Sequence, residues 1–244
     1  MKDFQSEVAG RVAFLQKALE SAGASGFVYG NSGGKDSALV GILCKQACEN
    51  TVGVTLPCQT RRNFEEDTRD ALEVAAQYHI QTRTVDLSAV REALIAAVGG
   101  ATRPSPVALA NIAPRLRMAA LYAIAASENR LVVGTGNRSE AYMGYFTKWG
   151  DGAHDINPIA DLTVTDIYAL LRYLDAPRAI LEKAPSAALF EGQTDEGEMG
   201  VTYSAIDHFL GTGEASAHDR AIIDSLHARS EHKRQPPIAY AGDA

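Results

Sequence analysis

Short β-prone runs alternate with longer helix-prone stretches through the first half of the chain, and this alternation constrains the fold most. Phe27-Val28-Tyr29, Thr51–Leu56, Gln81–Leu87 and Leu131–Val133 read as strands. Between them the spacing predicts helices from near Asp36, over Glu65–Tyr78, over Ala89–Val98 and over Arg115–Ser127. An earlier helix is signalled by Phe4, Val8, Val12, Leu15 and Leu19, which recur every three or four positions. Parallel strands need a crossover of a dozen or so residues between them, and helices of this length supply it. The expected fold class is therefore α/β, a parallel twisted sheet with helices on both faces. Right-handed crossovers then place ligands at the carboxyl ends of the strands.

Beyond Val133 the texture changes. Gly134–Pro158 is rich in glycine and charge and too long for a plain connection, so it is expected to be a functional loop. A helix over Val164–Leu174, an irregular stretch over Pro185–Gly200 and closing helices follow. With no repeat or linker apparent, residues 1–244 are expected to form a single domain with a C-terminal helical elaboration. The chain has 30 acidic against 23 basic residues, a formal charge of −7. That balance offers no general hold on nucleic acid or an anionic membrane, so neither is expected as a partner. Any anionic ligand must be held by a few placed groups. Three cysteines, Cys44, Cys48 and Cys58, make no disulfide framework and have no required role. The start lacks a signal-peptide core, and the longest apolar run, Met118–Ala126, is well short of a membrane span. A cytoplasmic location is expected.

The chemistry is concentrated in Gly30-Asn31-Ser32-Gly33-Gly34-Lys35-Asp36-Ser37, which follows the first strand and opens a helix. Adjacent glycines let the backbone approach an anion and turn successive N–H groups toward it. The helix N-terminus adds partial positive charge, and Ser32 and Ser37 add hydroxyl donors. Asp36 repels phosphate unless a divalent cation lies between them, so it points to magnesium. The bland alternative is a strand–turn–helix junction with Asp36 as helix cap. The string is neither a Walker loop nor a GxGxxG turn.

It resembles the pyrophosphate loop of N-type ATP pyrophosphatases, which cleave ATP between its α and β phosphates to adenylate a substrate. The loop alone does not choose among them. Further segments do: Asn111–Met118, Gly134–Glu140, Gly144–Gly152, Asp155–Pro158, Ala184–Ala187, Gly192–Glu196 and Glu231–Arg234. In this order they resemble the NAD synthetase family, over most of the chain. The resemblance implies an adenine nucleotide alpha hydrolase-like fold and ammonia-dependent amidation of deamido-NAD to NAD through an adenylate, releasing AMP and pyrophosphate. It implies that Gly30, Asn31, Ser32, Gly33, Gly34, Lys35, Asp36 and Ser37 hold ATP together with Thr135 and Ser186. Asp36 and Glu140 would bind Mg²⁺ and carry the catalytic charge. Arg115, Lys148, Asp155, His232 and Lys233 would contact deamido-NAD, commonly in a homodimer whose interface the dinucleotide partly crosses. Enzymes of this kind that use glutamine need a second catalytic domain, for which 244 residues leave no room. One departure stands out: the family commonly has a phosphate-binding lysine where this chain has Val164; a neighbouring cation such as Arg138 or Lys183 is the expected substitute, the alternative being weakened ATP binding. The competing readings are another N-type ATP pyrophosphatase, such as a tRNA-modifying enzyme, and a non-catalytic nucleotide sensor.

Overall fold

The structure is a computed structural model that describes residues 3–58, 68–182 and 194–240. The first helix, α1 (Phe4–Ala22), is capped by Asp3, whose carboxylate accepts from the Ser6 N–H. It leads into strand β1 (Gly26–Gly30), helix α2 (Lys35–Ala47) and strand β2 (Thr51–Thr55). Helix α3 (Thr68–Gln77), strand β3 (Gln81–Thr84) and helix α4 (Ser88–Gly99) follow. Next come α5 (Pro106–Ala110), α6 (Ile112–Glu128), strand β4 (Arg130–Val133) and α7 (Arg138–Met143). The rest is helical: α8 (Val164–Tyr173), α9 (Arg178–Glu182), α10 (Asp195–Met199), α11 (Tyr203–Thr212), α12 (Ala217–Arg229) and α13 (Glu231–Arg234).

The four strands pair in parallel in the order β3-β2-β1-β4. The alternation of side chains along β1 explains the layers. Phe27 and Tyr29 join Leu15 of α1, Leu39 and Leu43 of α2 and Ile167 of α8 in one core. Val28 faces the other way, with Val52 and Val54 of β2, Leu121 and Ala125 of α6 and Val132 of β4. Helices thus cover both faces, as the sequence predicts. Tyr29 fits because α2 passes close by at Gly41, where an added Cβ would meet the tyrosine hydroxyl oxygen at 2.2 Å. A third core, Met143, Val164, Met199, Val201, Tyr203, Ile206, Phe209 and Ile223, joins α7 and α8 to the last helices.

Several boundaries differ from the sequence expectations. β3 ends at Thr84, yet the N–H groups of Val85 and Leu87 still reach the carbonyls of Thr55 and Pro57, so the pairing runs on irregularly. The helix expected from Glu65 is described only from Thr68, with Glu65, Glu66 and Asp67 outside the described residues. The long loop Gly134–Pro158 contains α7 and a short parallel bridge from Ile156 to Val133. Finally, α5 and α6 run on through Asn111, so Pro106–Glu128 makes a helical stretch of 23 residues, apolar enough and long enough to cross a membrane by length and composition. Only 11% of its most apolar window is buried. The interrupted apolar run concealed this length, because Arg115 and Arg117 stand within it.

Candidate active site

The chain steps outward from β1 to β3 and then returns to the far side of β1 for β4. The loops leaving β1 and β4 therefore diverge around a crevice, the usual ligand position in an open parallel sheet. A cavity of about 730 Å³ occupies it, lined by the Gly30–Ser37 loop, by Thr135 and Glu140, and by residues of the Gly144–Asp151 segment.

The first loop is tied down at its start. The Asn31 N–H donates to the Val54 carbonyl (2.8 Å), and its side-chain amide donates to the Ala71 carbonyl (3.1 Å). Gly33 turns the chain at φ +70°, a left-handed conformation that disfavours any side chain. Gly34 caps α2 with no side-chain partner at the cap. The helix N-terminus is thus left open toward an anion. Asp36 lies within the first turn and does not cap α2, which removes the bland reading of that carboxylate. Instead it accepts from Lys35 Nζ (2.7 Å) and from the Asn137 side-chain amide (3.1 Å).

Asn137 joins the two carboxylates. It caps α7 through a reciprocal capping box, accepting from the Glu140 N–H (2.9 Å) while Glu140 Oε2 accepts from the Asn137 N–H (3.1 Å). Its amide then bridges to Asp36. Its role was readable in principle from the Asn-x-x-Glu spacing. Burial, and then the Asp36 charge, push the Glu140 carboxyl well above the usual carboxylate range. Burial works against the Lys35 charge, but Asp36 and Glu140 outweigh it and raise the ammonium pKa. Two crowded carboxylates against one ammonium leave an excess of negative charge that a divalent cation would offset. Among the described residues no three Asp, Glu, His or Cys side chains converge on one point. The protein would offer Mg²⁺ two oxygen donors and leave the remainder to phosphate and water, as this ion commonly prefers. Asp36 and Glu140 fit it on those terms.

Four of the five residues expected at deamido-NAD are gathered by the Gly144–Gly152 segment. Lys233 Nζ donates to the carbonyls of Gly144 (2.8 Å) and Phe146 (2.7 Å). Lys148 Nζ donates to the His232 carbonyl, and Arg115 Nη2 donates to the Lys148 carbonyl at 3.3 Å. Beside them burial raises the Asp151 carboxyl, while the Thr147 N–H bond and the Lys233 charge pull it back. Asp155 stands apart, accepting from Tyr122 Oη (3.1 Å) and from the Val132 N–H (2.8 Å) and so fastening residues 155–156 to β4. Arg117, not Arg115, lines the cavity in the single chain, its Nε bonded to the Leu56 carbonyl at 3.0 Å. Asn111 and Thr147, which bond to one another at 2.7 Å, line it as well. The sequence reading included all three in its segments but gave none of them a role. Ser186 lies outside the described residues, as does Lys183.

Val164 is buried in the third core, 5% exposed. Arg138 does not substitute for it: its guanidinium leaves the cavity and donates to the Leu210 carbonyl at 3.2 Å.

The sequence pattern described as NAD synthase matches residues 7–237. The chain is also 47% identical to the NH₃-dependent NAD⁺ synthetase of Carboxydothermus hydrogenoformans over 229 residues, 93% of each chain. The chain belongs to the NAD synthase family. Solved structures agree with that membership in shape. The NH₃-dependent NAD synthetase of Campylobacter jejuni superposes with a TM-score of 0.81 at 30% identity, covering 98% of this chain and all of the other. The NMN synthetase of Francisella tularensis superposes with a TM-score of 0.92 at 40% identity, covering 99% of this chain and 100% of that one. The adenine nucleotide alpha hydrolase-like fold expected from the loop is the fold observed.

Proposed function

We propose that this NAD synthase family member converts deamido-NAD to NAD with ATP and ammonia, and that the observation carrying this reading is the cavity itself. At one end it has an anion-binding loop with two joined carboxylates, and beside it the Arg115, Lys148, His232 and Lys233 cluster. The nicotinate carboxylate would attack the α-phosphorus of ATP, forming an acyl–phosphate bond and expelling pyrophosphate. Ammonia would then attack the activated carbonyl carbon and expel AMP, losing a proton as the amide forms. Neither step needs a covalent nucleophile from the protein, so catalysis rests on alignment and charge compensation. Bound Mg²⁺, held by Asp36 and Glu140, would neutralise the leaving pyrophosphate. The open N-terminus of α2 and the Gly30–Ser37 loop receive the phosphates, with Thr135 at the edge of β4 and Ser186 added on resemblance. Lys233, by holding the carbonyls of Gly144 and Phe146, fixes the segment against which the second substrate lies.

The remaining readings follow from charge and surface. A net charge of −7 favours neither nucleic acid nor a membrane surface as partner, which weighs against a tRNA-modifying enzyme. The three free thiols suit a reducing cytoplasm. The little-buried apolar stretch Pro106–Glu128, with Val107 69% exposed, is the surface on which a second copy of the chain would pack as a homodimer. A second substrate reading is favoured by the close superposition on an NMN synthetase: the deamidated mononucleotide, which carries the same nicotinate carboxylate.

One experiment tests the function. Purified protein with ATP, Mg²⁺ and ammonium is given deamido-NAD or, in parallel, nicotinate mononucleotide, and AMP, pyrophosphate and amide are measured. Deamido-NAD is expected to yield equal amounts of NAD, AMP and pyrophosphate. Turnover of the mononucleotide alone would replace the first reading by the second, and AMP without amide from either would refute both.

A further inference from the structure

Trp149 is the only tryptophan of the chain, and it stands where a bulky side chain is least welcome. The Gly150 N–H donates to the Thr147 carbonyl at 2.9 Å, closing a turn whose third residue is Trp149. Its φ is +62°, the left-handed conformation that this turn position usually reserves for glycine or asparagine. Holding a large residue there carries a backbone cost. Burial does little to offset it, because Trp149 is 53% exposed and belongs to none of the three cores. Strain without burial points to a use for the ring at the surface.

Two cations stand at the same turn. Lys148 Nζ lies 5.4 Å from the centre of the indole ring and is fixed by the His232 carbonyl. Arg115 reaches across from α6 to donate to the Lys148 carbonyl. An exposed π-face beside fixed cations suits a nucleotide, with the base stacked on the ring and phosphate meeting the charge. Trp149, Lys148 and Arg115 all lie outside the cavity lining. The second substrate has to bridge that step. Its nicotinate carboxylate reacts at the α-phosphorus of ATP, and hence inside the cavity with the glycine loop. The rest of a dinucleotide then runs outward past Lys148 and Arg115, and its adenine is the flat group that extends beyond them. A mononucleotide ends at its single phosphate and leaves the indole bare.

We propose that Trp149 is the stacking platform for the adenine of deamido-NAD, and thereby the residue that makes this chain prefer the dinucleotide to nicotinate mononucleotide. The proposal rests on the amidation reading above, and the two fail differently. If the wild type forms no amide from either substrate, that reading falls and takes the proposal with it. If amide forms and Trp149 is indifferent, only the proposal falls.

A lone tryptophan also supplies the probe. Its emission is titrated with deamido-NAD and with nicotinate mononucleotide, without ATP, at two protein concentrations. Amide formation is then followed for the wild type, Trp149→Phe and Trp149→Gly, with a melting curve for each. Deamido-NAD is expected to quench the emission to saturation, and the mononucleotide to leave it near its starting level. Glycine removes the ring and fits the left-handed turn, so Trp149→Gly is expected to melt no lower than the wild type. Its KM for deamido-NAD is expected to rise at least about tenfold, equivalent to 1.4 kcal/mol of lost binding, while kcat falls less than about twofold. For the mononucleotide, KM moves less than about twofold. Trp149→Phe keeps a smaller π-face and is expected to recover most of the loss. A ring needed only for structure would give the reverse, a lower melting temperature with KM unmoved. A KM for deamido-NAD within about twofold of wild type in Trp149→Gly would overturn the proposal, as would equal losses with both substrates. So would emission that does not respond to deamido-NAD; if it follows protein concentration instead, the indole is packed between two copies of the chain.

Discussion

Ammonium is expected to support turnover by the purified chain, and glutamine freed of ammonia to give none. Releasing ammonia from glutamine requires an activated nucleophile, most simply a low-pKa thiolate in a polar, partly open setting. Neither Cys44 nor Cys58 has that setting. Cys44 is fully buried in the apolar core with Leu39 and Leu43, where burial drives its thiol pKa upward. Cys58 is buried too, and burial raises its thiol despite the opposing charges of Arg117 and Arg91. Cys48 closes α2, with its N–H on the Cys44 carbonyl. The measurement is NAD formation with each nitrogen source after ammonia has been stripped from the glutamine. Comparable rates from the two would show that the chain carries a glutamine-hydrolysing centre.

Asp36→Asn should reduce the rate about 10²–10³-fold, the scale of losing one preorganised electrostatic group. The substitution is nearly isosteric, so packing around the first turn of α2 survives. It does not remove a cap, because Gly34 holds that position. What changes is charge: Lys35 loses its ion pair, Asn137 keeps an oxygen to donate to, and the pair of carboxylates becomes a single one. Circular dichroism is expected to be unaltered. The rate with saturating deamido-NAD and ammonium, measured across a magnesium titration, checks the assignment. Wild-type turnover by the variant would end the metal role of Asp36.

How much of this was legible depended on the range of the interaction. β1 and β2 could be read because strands buried on both faces are continuous apolar runs, as in Phe27–Tyr29 and Thr51–Leu56. The edge strand β3 was overextended, since Gln81–Thr84 is half exposed and its sequence, QTRT, carries no apolar run to mark where regular pairing stops. Within the candidate site, the glycine loop could be picked out as an anion-binding candidate through local chemistry alone. The partnership of Asp36 with Asn137 joins positions 101 residues apart, and no spacing rule reaches that far. Arg115 and Arg117 show the same limit. Residues two apart on a helix face different ways, but which of the two lines the cavity depends on how α6 lies across β1 and β4.

Helix α7 joins the carboxylate pair to the segment that Lys233 holds, which on the proposed function makes it a spacer between the two reactants. Its N-terminal side carries Glu140 beside Asp36, and its terminating Gly144 offers the carbonyl that Lys233 grips. The four residues from Glu140 to Gly144, at about 1.5 Å each, place about 6 Å of helix between the carboxylate pair and the carbonyl that Lys233 holds, so this separation is set by a rigid rod, not by a loop. Lengthening or shortening that rod by one residue would turn its far end by about 100° as well as shifting it, leaving each half-site intact while destroying their alignment. On the proposed function, the spacing of the two reactants would in this sense be encoded as a residue count.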